Sequence, residues 1–269
     1  MKKLVLIFSL LTYGIAYGQL MPIQSISWIS KEMQMMDFRG EEVLFEPYKE
    51  GDLLKYYLSE DTLVMVNKNL NDEGSDNLMH ERLYKFLMNR KGNEQLILTP
   101  INDNAKKLDK LPSYTFTNKK KIIDRSLKFK IVHLNSGGCP GCELRTINID
   151  EKGNYYLKKG GGVDTGYFKG KLNSRQLDTL NDLLYQSGIR KLQGWIPDRR
   201  LADGGVKNLV IVYNGNILRM KNTILPLVIH DLLNFLYLFS ARLPLVPDQE
   251  KYNYKREGDT AYEMSSDIH

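Results

Sequence analysis

The only two cysteines of the chain, Cys139 and Cys142, share one short stretch, "NSGGCPGCE", with Pro140 and Gly141 between them. Three chemistries use that spacing: thiol–disulfide exchange, half of a thiolate metal site, and a disulfide that clips a turn. Exchange requires a thiolate stabilised at neutral pH, which such pairs obtain from a helix N-terminus. The residues after Cys142, "ELRTINID", instead alternate and include β-branched side chains, so they read as a strand. A tetrahedral metal needs two further ligands, from His80, His133, His230 or carboxylates. No second Cys-x-x-Cys or His-x3-5-His accompanies the pair. His133 fits the strand alternation of "LKFKIVHLN" with Phe129 and Ile131, and His230 sits in an apolar run, so both read as structural histidines. The third chemistry is the preferred one: a disulfide between Cys139 and Cys142. Closing about four residues removes little chain entropy, on the order of 2 kcal/mol, so the bond would shape a turn rather than hold a domain.

Other groups assemble less. "KKGGGVDTG" is glycine-rich but lacks the Gly-x4-Gly-Lys-Ser/Thr spacing of a phosphate loop. Asp198 and Asp203 flank "RRLADGG" and read as loop caps. Ser136 has no base beside it in sequence, and Trp28 and Trp195 read as core or groove aromatics. No catalytic residue, cofactor-binding residue or metal ligand is nominated. Whether the chain is an enzyme is left uncertain, with the negative answer favoured.

The elements that must position the cysteines lie in a chain with an export-type beginning. "MKKLVLIFSLLTYGIAYGQL" offers Lys2 and Lys3, a short apolar run from Leu4 to Leu11, and Ala16 and Gly18 before a cut ahead of Gln19. Residues 1–18 are therefore expected to be a signal peptide, and the mature protein to reside in a periplasm or outside the cell. Such surroundings favour disulfides. No cysteine follows the cut to carry a lipid. The formal net charge is +6, but the cations are interspersed apart from Lys119-Lys120-Lys121, which reads as a solvated loop. A nucleic-acid partner is not expected; an envelope ligand or protein is.

The expected fold class is α+β. Residues 19–126 read as a β-rich domain, a β-meander forming part of a small barrel or curled sheet. Hairpins turn at Ser59-Glu60-Asp61 and at Lys91-Gly92-Asn93, "PSYTFTN" adds a strand, and Asn69 to Asn77 reads as a mobile loop. Residues 127–246 read as antiparallel hairpins with two helices. One hairpin turns at Glu151-Lys152-Gly153 and another at Asn214-Gly215. "NSRQLDTLNDLLYQSG" is an amphipathic helix, capped by Asn173 or Ser174, striped by Leu177, Leu180 and Leu184, and stopped by Gly188. Leu225 to Arg242 reads as a core helix, too short and too interrupted by His230 and Asp231 to span a bilayer. Residues 247–269 read as a disordered tail.

Taken together, the Gly-Gly-Cys turn with its second cysteine, "INIDEKGNYYL", "GYFKGKLNSRQLDTLNDLL", "VIVYNGNILRMKN" and the closing helix resemble an exported bacterial family of Bacteroidetes type, domain of unknown function six-four-three-eight. The resemblance covers roughly Lys128 to Arg242. It departs at the turn, where the family spaces its cysteines by three residues and follows them with Pro and Tyr; here the spacing is two, followed by Glu143 and Arg145. The N-terminal half bears a faint likeness to lipocalin-like domains around "EQLILTP". The resemblance implies export and a fold but no reaction. The expectation is an uncharacterised cell-envelope binding or scaffolding module. The alternative is a periplasmic thiol–disulfide redox protein working through Cys139 and Cys142.

Overall fold

The computed structural model describes residues 22–48, 53–67, 81–137, 144–160, 165–196, 205–239 and 242–248. The chain divides into two compact units, Met1–Lys121 and Ile122–His269. The expected signal peptide, the Asn69–Asn77 loop and the C-terminal tail beyond Asp248 lie outside the described residues.

The first unit is a closed barrel of eight antiparallel strands, each paired with its sequence neighbours. These are β1 (Trp28–Ser30), β2 (Met35–Arg39), β3 (Glu42–Phe45), β4 (Leu53–Ser59), β5 (Thr62–Asn67), β6 (Arg82–Lys91), β7 (Gln95–Pro100) and β8 (Tyr114–Asn118). The ring closes where β1 meets β8, with Trp28 opposite Asn118 and Ser30 opposite Phe116. Tight corners set the register. Ser59 faces Thr62 across Glu60-Asp61, and Gly92 supplies the positive φ after Lys91. One residue in two points inward, and the inward set includes Trp28, Phe45, Leu63, Met65, Phe86, Leu96 and Phe116, all buried. Phe45, Phe86, Tyr114 and Phe116 meet edge-on or tilted, with ring centroids 5.5–6.0 Å apart. The interior of this eight-stranded barrel is thus occupied by side chains. A single-turn helix, α1 (Asp103–Lys106), is tied to β6 by Asn102, whose amide oxygen accepts from Ala105 and Lys85 N–H and whose amide donates to the Leu83 carbonyl.

The second unit is a seven-stranded antiparallel sheet. It contains β9 (Phe129–Gly137), β10 (Leu144–Asp150), β11 (Asn154–Gly160), β12 (Gly166–Lys171), β13 (Val206–Tyr213), β14 (Asn216–Asn222) and β15 (Val246–Pro247). The spatial order is β14-β13-β9-β10-β11-β12-β15. Two helices accompany it, α2 (Ser174–Gln186) and α3 (His230–Phe239). Asn173 and Gln176 form a reciprocal capping box at the start of α2. Gly188, at φ 60°, ends the turn after it. Asn214 and Gly215, at φ 45° and 76°, make the two-residue corner between β13 and β14.

Against the α+β expectation, the described residues are mostly β, and the N-terminal half is a closed barrel rather than a partial one. The helix expected over Leu225–Arg242 is shorter. Leu227–Ile229 form a 3-10 turn behind Pro226, and the α-helix begins only at His230. Among the described residues no helix is long and apolar enough to cross a membrane. The alternation expected for β9 breaks near Lys130. Phe129 faces Tyr213 while Ile131 faces Val212, one extra residue on β9. That bulge moves Phe129 onto the face of Val132 and Leu134, and leaves His133 and Ile131 on the other.

Candidate functional site

The strand pairings assign every residue of the sheet to one of two faces. One carries Val132, Leu134, Ile147, Ile149, Leu157 and Leu209, all fully buried. α3 lies on this side, since Arg145, in the same face, donates to the Tyr237 carbonyl at 3.4 Å, and α2 packs against α3. At the end of this face nearest the cysteine stretch, a cross-strand row turns polar, running Lys207, Ser136, Arg145, Lys159. Ser136 is buried, and its hydroxyl bonds the Tyr237 phenol; burial pushes the Tyr237 hydroxyl up in pKa while Ser136 and the Arg145 charge pull it down. Arg145 meets a carbonyl in the last turn of α3, where a cation complements the helix dipole. Lys207 Nζ donates to the Thr223 carbonyl at 2.7 Å. These contacts fasten α3 and the end of β14 around the root of the β9–β10 hairpin.

Cys139 and Cys142 themselves lie in 138–143, outside the described residues, as do His80, Asp198 and Asp203. The flanking strands are described. β9 and β10 pair from Ile131↔Asp150 to Ser136↔Arg145, and β10 begins at Leu144. The residues after the cysteine pair therefore run as a strand, as their alternation predicts.

The opposite face has a different make-up. Its middle, on β13, β9 and β10, carries Asn208, Asn135, Thr146, His133 and Asn148. His133 Nδ1 lies 2.8 Å from Asn148 Oδ1, so the imidazole is engaged by the neighbouring strand's amide. His230 Nε2 lies 3.1 Å from the Leu225 carbonyl. Among the described residues no three His, Cys, Asp or Glu side chains converge as a metal site would require. Tyr156 on β11 and Tyr167 on β12 continue the same face, with Lys158 Nζ 5.7 Å from the Tyr167 ring centroid. Exposed cations stand at both margins, Lys158, Lys169 and Lys171 on β11 and β12, and Arg219 and Lys221 on β14. Among the described residues, two acids touch this surface. Asp150 spends its carboxylate on the β10–β11 turn, accepting from Lys152 and Asn154; Asp248 pairs with Lys169 at 3.1 Å.

Sequence reasoning did not find this face, because its members come from six strands and meet only through the register. The single signal available was the alternation of lysines with tyrosines in "NYYLKKG" and "GYFKGK". Trp28, read as core or groove, is core, and Trp195 is partly exposed beside the 3-10 turn Ile189–Leu192.

No family model, no curated protein and no solved structure matches the chain. The resemblance drawn above rests on the residues quoted for it.

Proposed function

We propose that the chain is an exported, non-enzymatic binding module of the cell envelope, in which the cysteine hairpin is a disulfide-clipped turn and the cation-rimmed sheet face meets the ligand. The observation that carries this reading is the division of the sheet into a packed face and a polar face edged on both sides by exposed cations. The barrel's up-and-down order of eight strands supports a lipocalin-like reading of the first unit. Its aromatic-filled interior favours the sheet, rather than the barrel, as the contact surface.

The register of the hairpin supports the clip. Cys139 stands three residues beyond Ser136 and Cys142 three residues before Arg145, and these two are the last recorded pair. Pro140 and Gly141 between the cysteines are residue types that suit a tight loop, and a disulfide can bridge residues that close together. The strand beginning at Leu144 also argues against the redox alternative, since a helix N-terminus is what would activate a thiolate there.

The test is the chemistry of the thiols. Alkylation with and without reductant, followed by mass measurement, should find the purified protein oxidised at Cys139 and Cys142 and slow to exchange with glutathione. A Cys139 thiolate titrating well below the free-cysteine value of about 8.5 and exchanging readily would establish the redox reading instead.

A further inference from the structure

Building on the binding-module reading, we infer that the polar face of the seven-stranded sheet is a docking surface for an extended acidic polysaccharide, whose carboxylates meet the two cationic margins while its hydroxyl groups meet the amide-rich middle. Residues 122–248 hold 18 Lys and Arg against 11 Asp and Glu, so the positive charge of the chain is concentrated in this unit. On the sheet face it is sorted further. Lys158 and Lys171 stand at one margin and Arg219 and Lys221 at the other, all exposed. From β14 to β12 the sheet counts five strand spacings, a separation of about 24 Å at ~4.8 Å each. A small anion cannot touch both margins. A polymer laid across the strands touches both, and successive acidic groups along it gain from each.

The middle of the face decides which polymer. A single nucleic-acid strand is held by aromatic rings on which bases stack. Here the central strands β9, β10 and β13 offer Asn135, Asn208, Thr146 and His133 and no ring but the imidazole, so the stacking rings of the face are confined to Tyr156 and Tyr167 at one margin, too few to hold a run of bases. Amide and hydroxyl side chains both donate and accept, which suits the hydroxyl groups of sugar rings. The two tyrosines sit together on β11 and β12, where a pyranose ring can lie against them beside the lysine margin. A membrane surface is a poorer fit, because on the central strands of this face only Leu144 and Val206, both at the end nearest the cysteine stretch, are exposed apolar side chains, too few to enter a bilayer.

Polygalacturonate serves as the probe, measured by calorimetry with the intact mature chain, against neutral dextran, single-stranded oligothymidylate and vesicles containing anionic lipid. Polygalacturonate should bind, with an affinity that falls about tenfold or more between 50 and 200 mM NaCl as screening shortens the reach of each charge. The variant K158A/K171A/R219A/K221A should lose about tenfold or more in affinity. K31A/K55A/K106A/K107A, which removes the same charge from exposed positions of the barrel unit, should bind as the unaltered chain does. Circular dichroism confirms that both variants are folded, and margin pairs altered separately (K158A/K171A, R219A/K221A) should each weaken binding. No binding of polygalacturonate, equal losses in the sheet and barrel variants, or tighter binding of oligothymidylate or vesicles would overturn the assignment. Those outcomes leave the oxidation state of the cysteines untouched, and a reactive Cys139 would leave the polysaccharide result untouched, so the two readings fail separately.

Discussion

The two units solve the problem of a β-sheet's second face in opposite ways. The barrel bends its strands into a ring until the sheet has one inside and no edges, and fills that inside with Trp28, Phe45, Phe86 and Phe116. The second unit stays open. It buries one face against α2 and α3 and keeps the other for side chains that packing does not need. Closure lets the barrel fill a single interior; the open sheet also rests on apolar burial, of Val132, Leu134, Ile147 and Ile149 on its packed face, and adds polar fastenings such as the Asn173 cap, the Asp124–Arg190 pair and the Arg145–Tyr237 contact. The lesson is that a sheet packed on one face keeps its other face for side chains that the core does not consume.

That contrast breaks first at the barrel interior. Phe86→Ala removes a fully buried ring that touches Phe45 and Tyr114, and should cost about 3–5 kcal/mol in urea unfolding followed by circular dichroism. A cost under about 1 kcal/mol would mean the barrel is not the packed body described.

The next largest effect lies at high pH. Burial raises the Tyr114 hydroxyl to about 12, with the negative charge of Asp109 adding to the shift. An unfolded tyrosine ionises near 10, so below that value both states are protonated and the group adds no pH dependence. Between about 10 and about 12 the unfolded chain loses its proton first, and barrel stability falls. Tyr114→Phe should flatten this alkaline limb in unfolding curves taken at several pH values.

In the sheet unit the effects are smaller and polar. Asn173→Ala removes the cap of α2 and should cost about 1 kcal/mol by the same unfolding measurement, whereas Asn173→Gly should cost only a few tenths. Smallest is the Asp124 pair. The Ser126 hydroxyl, then the Arg190 guanidinium at 2.6 Å, hold the Asp124 carboxyl below the usual carboxylate range. The benefit is present above the unfolded carboxylate value of about 3.9 and is lost as pH falls through the lower folded value. Arg190 also lies over the Tyr213 ring, 5.8 Å from its centroid. Arg190→Lys should therefore lower stability by about 0.5 kcal/mol at pH 7, less at pH 2, since lysine reproduces neither the fork nor the stacking.

Local chemistry was legible before the structure. Asn214-Gly215, Glu60-Asp61 and Gly92 announce their corners, and Asn173 its helix, because each acts within a few residues. The register of "LKFKIVHLN" was misread at Phe129, since a bulge answers to the partner strand and not to the strand's own pattern. β1 and β2 were missed because "SWIS" is too short and "MQMMDFR" too rich in unbranched methionine to show a strand signature. Barrel closure, which pairs Trp28 with Asn118, spans nearly the whole unit and leaves no local trace. The cationic face escaped for the same reason: Lys158 and Arg219 become parts of one surface only through the pairings of five strands.

The short β15 carries a consequence of another kind. Val246 and Pro247 pair with Lys169 and Phe168, and the approach is close: a methyl group at Gly170 would come within 2.4 Å of Leu243 Cδ2 and 3.0 Å of Leu245 Cδ2. An open sheet offers its outer backbone groups to any passing strand, and proteins guard such margins with proline, charge or a covering segment. This sheet uses all three. At β12 the returning chain covers the margin and ends it with a proline that has no N–H to offer, while at β14 Arg219 and Lys221 repel an incoming copy. A chain cut before Leu243 would expose the β12 side alone, and the resulting failure would be sticking of one molecule to the next rather than unfolding.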